Sequence, residues 1–387
     1  MKPVYIVKNL APWMIDELSV FATHTQFVLL LLRKQNSFYD NALNDLEAKG
    51  IEILIEPYSK IIDVKKLWFI MKFVFLNFKK LLWGYSAIIG WKSIIWFAKL
   101  DMTHFSEETK LHAQFATQPA IISLMLKMYF KRGLDYCFTF HAYDIYFKNK
   151  WMSLLVNNSI YAFSISDYNI QYITSSYPDS DLEKVKLARL GAFEVANTSI
   201  QKIGTVFTIG LLSWFTEKKG IIYLLEAVKN VYQQDKDIKL VLAGDGPLKG
   251  EYLKYIDEHN LSACVSYIGR VNSTEKPDFF RTIDAFLLPA ISLRNDKDGI
   301  PVVLMEATSY GLPLISTNVS GIPEICINEF NGKLIEEKDV VALQEAIYAL
   351  KSDFSLRQTF AKNSLVVFKK YNIQDNSLSK LKDMKWI

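Results

Sequence analysis

Short apolar runs alternate with longer stretches of helical patterning along this chain, and the series occurs twice. In the first half the runs fall at 4–8, 27–33, 51–55, 138–141 and 163–165; in the second they fall at 206–210, 238–243, 265–268, 285–289 and 314–317. Alternation of this kind predicts parallel sheets covered by helices, hence an α/β chain with two Rossmann-like domains. A length of 387 residues, half of them hydrophobic, is ample for two such cores. Gly191-Ala-Phe and the polar stretch 194–202 separate the two series, so the domains are expected at 1–200 and 201–370. In open α/β sheets ligands lie beyond the carboxyl ends of the strands. Two such sheets facing one another would put the active site in the cleft between them.

The densest chemical signal is Asp298-Gly-Ile-Pro-Val-Val-Leu-Met-Glu306, followed by Ala307-Thr-Ser-Tyr-Gly311-Leu-Pro313. Pro301 suits a first helical turn, where a missing N–H costs nothing, and Gly311 suits a left-handed stop. Val302, Val303, Leu304, Met305 and Ala307 make this helix apolar on nearly every side, so a carboxylate at Glu306 needs a cation or a ligand diol as partner. At 1.5 Å rise per residue, Asp298 and Glu306 lie on the order of 10 Å apart along one element. That is a poor layout for a glycosidase pair, which flanks a single bond. It suits the two ends of one extended ligand. The amides of Gly299, Ile300 and Val302 would add oriented N–H groups at the helix start, with Pro301 removing one.

Further motifs stand in order around this one. They are Leu240-Val-Leu-Ala-Gly244-Asp245-Gly246-Pro247, Tyr267-Ile-Gly269-Arg270-Val271, Asp284-Ala-Phe-Leu-Leu-Pro289, Gly321-Ile-Pro323-Glu324 and Asn331-Gly332-Lys333-Leu334. Upstream lie Phe140-His141-Ala-Tyr-Asp144-Ile and Ser164-Ile-Ser-Asp-Tyr168-Asn169. The ordered set, spanning roughly 100–350, resembles the family 4 nucleotide-sugar glycosyltransferases of GT-B fold, of the bacterial polysaccharide and colanic-acid type. The resemblance implies a retaining enzyme that moves a sugar from a nucleotide-sugar to a growing surface glycan or lipid-linked acceptor. It implies that the nucleotide-sugar is a co-substrate, with no cofactor and no metal, and that a helix at 371–387 crosses back to the first domain. By the same resemblance His141 and Asp298 are the catalytic residues. Lys219, Gly244, Gly246, Arg270, Gly299, Ile300, Val302 and Glu306 are the donor-binding ones, with Lys219 facing the phosphates and Glu306 the ribose. The chain departs from the family in four places. Asp298 stands where Glu is usual, and no arginine follows Gly210, so Lys218, Arg270 or Arg294 would have to supply the missing cation. The glycine-rich loop after the first strand is replaced by Asn9-Leu-Ala-Pro-Trp13-Met-Ile-Asp16-Glu17. Gln114 replaces the second histidine of a His-Ala-His-Phe strand, leaving His112 with a structural role.

Composition removes other classes. A net charge of +4 offers no nucleic-acid surface. Cys137, Cys264 and Cys326 form neither a disulfide framework nor a zinc motif, which favours a reducing compartment. Asp-x-Asp recurs at 179–181, 235–237 and 296–298, too often to mark a metal site. With no signal-peptide layout and no run of about 18 uncharged apolar residues, a cytoplasmic protein is expected. One segment breaks the pattern: 60–99 carries eight lysines against Asp63 alone, interleaved with four tryptophans and several phenylalanines. Such a stretch reads equally as core helices with solvated lysine edges or as helices on the anionic inner face of the cytoplasmic membrane. Rival functions are a glycosyltransferase-like non-catalytic subunit, or another GT-B activity such as a glycan synthase or sugar-nucleotide epimerase.

Overall fold

A computed structural model describes residues 2–59, 64–130, 134–195, 206–294 and 296–387. Its first sheet contains β1 (Val4–Val7), β2 (Val28–Leu31), β3 (Glu52–Ile55), β4 (Lys110–Gln114), β5 (Asp135–Phe140), β6 (Ala162–Ser164) and β7 (Val185–Leu187). The second contains β8 (Phe207–Trp214), β9 (Ile238–Asp245), β10 (Val265–Gly269), β11 (Ala285–Leu288), β12 (Leu314–Thr317) and β13 (Gly332–Ile335). All pairings are parallel, in the orders β3-β2-β1-β4-β5-β6-β7 and β10-β9-β8-β11-β12-β13. Parallel strands are covered on both faces, and the central ones here, Val4–Val7 and Ala285–Leu288, are buried at every position. That is why they appear in the sequence as unbroken apolar runs. Each sheet is Rossmann-like, with the first strand of its series near the middle.

The chain divides into two compact units, Met1–Leu190 with Ile373–Ile387, and Gly191–Asn372. The junction expected at 200/201 falls among 196–205, outside the described residues. In the first unit, the terminal helix Ile373–Asp383 packs on the helix Pro12–His24. Lys380 Nζ donates to Glu17 Oε1 at 2.7 Å, and Tyr5 Oη donates to Glu17 Oε2 at 2.8 Å. All three side chains are buried, so this carboxylate exists inside only because both its oxygens are partnered. Trp386 then closes against Phe21 and Phe27.

Two sequence expectations change. Gly210 does not end a strand; it lies inside β8, which continues to Trp214 and pairs with β9 along all eight residues. A Cβ on Gly210 would come within 2.6 Å of Ile283 Cδ1, so glycine there serves packing under the helix Lys276–Thr282. His141 does not end β5 but follows it, as the cap residue of the short helix Ala142–Tyr146.

Candidate functional site

In the second unit the site grows from sheet order. β8 and β11 are neighbours, so the turns at their carboxyl ends meet. After β8 the chain makes a short turn, Glu217–Lys219, then Gly220 at φ +64° starts the helix Ile221–Gln234. A Cβ on Gly220 would lie 1.9 Å from the Pro289 carbonyl oxygen, so only glycine lets the turn approach the end of β11. Ile291 N–H donates to the Lys218 carbonyl at 2.8 Å and locks the two together.

This contact brings both lysines onto the acidic loop. Lys219 Nζ lies 2.6 Å from Asp298 Oδ2, and Lys218 Nζ lies 3.6 Å from Asp298 Oδ1 and 2.9 Å from Asp296 Oδ1. Asp298 and Lys219 are only 12% and 14% exposed, so the pair is well shielded from water. At Lys218 burial opposes the charge, but Asp298 and Asp296 outweigh it and hold the ammonium above the ordinary lysine range. Of the three cations expected to replace the missing arginine, Lys218 joins this cluster. Arg294 is exposed. Arg270 instead donates through Nε to Asp245 Oδ2 at 2.9 Å and lies over the Trp214 ring, at the ends of β8 and β9. Asp245 is held below the usual carboxylate range by the Gly246 N–H, then by Arg270 and Lys249.

Gly244 and Gly246 have a packing role that the sequence does not reveal. Gly244 has φ +136°, and a Cβ would lie 1.9 Å from the Ser213 carbonyl oxygen; one on Gly246 would lie 2.6 Å from the backbone of Phe215. They let the ends of β8 and β9 close on each other.

The helix with the second acid is Val302–Ser309, one residue later than expected, so Pro301 is its cap residue and not its first turn. Among the described residues no hydrogen-bond acceptor meets the amides of Gly299, Ile300 or Val302. Ile300 is buried, and Gly311 ends the helix region at φ +68°. Asp298 turns to the lysines and makes no helix cap. Glu306 has a cation: Lys276 Nζ reaches its Oε1 at 2.5 Å. Sequence reasoning missed Lys276, which lies thirty residues upstream in a polar stretch without a motif. Only the tertiary approach of Lys276 to Glu306 identifies it.

In the first unit, His141 lies at the carboxyl end of β5, 7% exposed. Its ring packs against Trp13 and Phe115, with centroids 5.0 and 4.5 Å away. Its Nε2 lies 3.0 Å from the Gln114 amide nitrogen, and Gln114 Oε1 lies 3.2 Å from His112 Nε2. Gln114, where a histidine was looked for, is therefore the link between the two imidazoles. Burial, then the charge of Lys380, pushes His141 down to about 3, and burial chiefly depresses His112 as well. Both rings are neutral at physiological pH. Asp144 Oδ2 accepts from the amides of Ala116 and His141, each at 2.9 Å, and fixes the turn; burial raises its carboxyl to about 7. Phe115 takes φ +77°, a left-handed conformation that costs a non-glycine residue of order 1 kcal/mol and often marks functional sites. Where a glycine-rich loop was absent from the sequence, the turn after β1 is held by Gln35, which accepts from Leu10 N–H and donates to the Lys8 carbonyl.

Two Rossmann-like units, each built on one parallel sheet, define the GT-B fold class. Residues 197–365 match the family model for glycosyl transferases group 1. The chain is 31% identical over 170 residues to the putative colanic acid biosynthesis glycosyltransferase WcaL of Escherichia coli, covering 43% of this chain and 42% of that protein. It is 35% identical over 136 residues to the amylovoran biosynthesis glycosyltransferase AmsK of Erwinia amylovora, covering 35% of this chain and 33% of that one. The chain thus spans less than half the length of these curated relatives. The solved structure of Anabaena Alr3699/HepE in complex with UDP and glucose is similar over the whole of both chains, with a TM-score of 0.70 at 14% identity.

Proposed function

We propose that the protein is a retaining, metal-independent glycosyltransferase of family 4, acting in the cytoplasm, that transfers a hexose from a nucleotide-sugar to a surface polysaccharide or lipid-linked glycan. The observation that carries the reading is the convergence of Lys218 and Lys219 on Asp298, ahead of the helix that holds Glu306. A diphosphate would compete with Asp298 for the two ammonium groups. Once the phosphates hold the lysines, the Asp298 carboxylate is released to the hydroxyls of the donor sugar. Glu306 exchanges Lys276 for the ribose diol in the same way. Transfer breaks the anomeric C–O bond to the diphosphate, which leaves with the electron pair, while an acceptor hydroxyl oxygen forms the new anomeric C–O bond and gives its proton to the departing diphosphate; the lysines stabilise the charge that builds there. By the family resemblance His141 acts at the donor sugar, and a neutral imidazole would not repel a developing sugar cation. The Asp296-x-Asp298 carboxylates face lysines, an arrangement that supports cations of the chain in place of a divalent ion. Relatives named for colanic acid and amylovoran biosynthesis support the polysaccharide acceptor.

Thermal-shift measurements against UDP- and GDP-sugars test the donor, since a ligand of the folded state alone raises the melting temperature. One donor class should stabilise the protein, and Glu306→Gln should abolish that shift. Product analysis with the labelled donor then tests transfer. A donor that binds but is never turned over with any glycan acceptor would make the chain a non-catalytic subunit. Loss of turnover in chelator, restored by a divalent ion, would overturn the metal-free mechanism.

A further inference from the structure

The segment around 64–99 forms the helices Val64–Leu76 and Tyr85–Lys99, which pack against each other. Their inner faces join the core of the first unit: Phe73 stacks on Trp151, and Ile89, Ile94 and Phe97 are buried. Their outer faces are also apolar. Val64, Trp68, Met71 and Phe75 recur at helical spacing along the first helix, and Tyr85, Ile88, Trp91 and Ile95 along the second, all exposed. The connection adds Phe78, Leu82 and Trp83. Phe75, Trp83 and Trp68 are 81%, 77% and 62% exposed, far beyond what isolated surface hydrophobics need.

Charge frames this apolar surface. Residues 64–99 hold seven lysines and no acid. Lys66 is not part of the surface, contrary to the sequence reading: it is buried, with Nζ donating to the Leu100 carbonyl at 2.5 Å. Lys65, Lys72, Lys79, Lys92 and Lys99 are exposed and Lys80 is half-exposed. Lys72 lies over the Trp68 ring at 5.6 Å. Lys92 extends the positive region towards Lys8, which burial and the like charges of Lys92 and Arg33 hold below the ordinary lysine range.

We infer that this face docks on an anionic lipid bilayer, with Trp68, Met71, Phe75, Trp83 and Ile88 entering the headgroup–acyl boundary and the lysines meeting lipid phosphates. Long lysine stems suit that position, because their methylenes follow the apolar residues while the ammonium stays at the headgroups. A second copy of the chain fits the surface poorly. A two-fold interface would set each lysine-rich face against its own image with no acid to separate the charges. No helix among the described residues is long and apolar enough to cross a membrane, so the contact is one of lying on the surface. This docking extends the transferase reading and does not depend on it.

Sedimentation with phosphatidylcholine vesicles, with and without phosphatidylglycerol, tests the inference. The full chain should bind the anionic vesicles, be released as salt rises, and leave neutral vesicles largely unbound. Changing Lys65, Lys72, Lys79, Lys80 and Lys92 to Gln should weaken partitioning by roughly two orders of magnitude or more. Bromine-labelled acyl chains should quench the tryptophan fluorescence of the wild type, and the double change Trp68→Ser with Trp83→Ser should lose that quenching at an unchanged melting temperature. If a variant unfolds, the wild-type quenching decides alone. Absent quenching, equal binding to neutral and anionic vesicles, or a dimer dissociated by the Trp68 and Trp83 changes in a chain that ignores lipid would each overturn the inference.

Discussion

The clusters at the strand ends of the two units are built on opposite electrostatic plans. At the ends of β8 and β11, Lys218, Lys219, Asp298, Lys276 and Glu306 are joined in ion pairs, with side chains 12% to 29% exposed. At the ends of β4 and β5, His141, His112 and Gln114 are neutral, enclosed and linked by hydrogen bonds. The first plan suits a polyanionic ligand, because each pair can exchange an internal partner for a ligand group with little new desolvation. The second suits a step in which positive charge develops, because a protonated histidine would oppose it. One fold repeated twice therefore carries two electrostatic environments, and the difference resides in a few side chains on similar sheets.

The comparison can be broken most sharply at Asp298. Asp298→Asn should cut turnover by about 2–4 kcal/mol in barrier, the scale of a lost charge-stabilising group. Affinity for the free nucleoside diphosphate should be unchanged or rise, because the lysines no longer have a carboxylate to leave. An equal loss of affinity for the free nucleoside diphosphate would remove Asp298 from the sugar end. Lys219→Ala should weaken donor binding by about 1.5–3 kcal/mol, the worth of a charge-assisted hydrogen bond, with Lys218→Ala costing less because it is shared with Asp296. Isothermal titration measures both, and the reverse order would move the phosphates towards Lys218.

His141→Gln should depress turnover by about 1–3 kcal/mol while leaving nucleotide affinity unchanged, so a near wild-type rate would leave the imidazole purely structural. The smallest effect is on stability. His141 has its pKa depressed to about 3, so its contribution is present above the unfolded value near 6.5 and is lost as pH falls from there towards 3. Asp144, raised to about 7, acts in the opposite sense and favours the folded state as pH falls from about 7 towards 4. The melting-temperature advantage of wild type over His141→Gln should therefore shrink between pH 7 and 4.5. An advantage that grows on acidification would show that the folded ring is charged.

Much of this molecule is legible in its residues because periodicity is a local property. The apolar runs became parallel strands, since a strand covered on both faces must be apolar at every position. Asp298 and Glu306 stand out by their spacing on one loop and helix, and Lys219 by resemblance to the family. Lys276 does not, because no local rule joins it to Glu306, and Lys66 could not be told from its exposed neighbour Lys65. The extent of β8 was also misjudged: Gly210 resembles a strand end until Ile283 and Phe279 are seen filling the space where its side chain would be.

By itself the sequence determined the two α/β series, the order of the motifs and the identity of the two acids, all of which follow from nearest neighbours and periods of two and 3.6 residues. Tertiary structure decided which cation meets which carboxylate. Lys218 and Lys219 reach Asp298 because β8 neighbours β11, and Lys380 reaches Glu17 because the last helix returns to the first unit. It also decided which apolar residues stay outside. Phe73 and Phe75 are chemically identical and two positions apart, and a rotation of about 200° around the helix axis buries one and exposes the other.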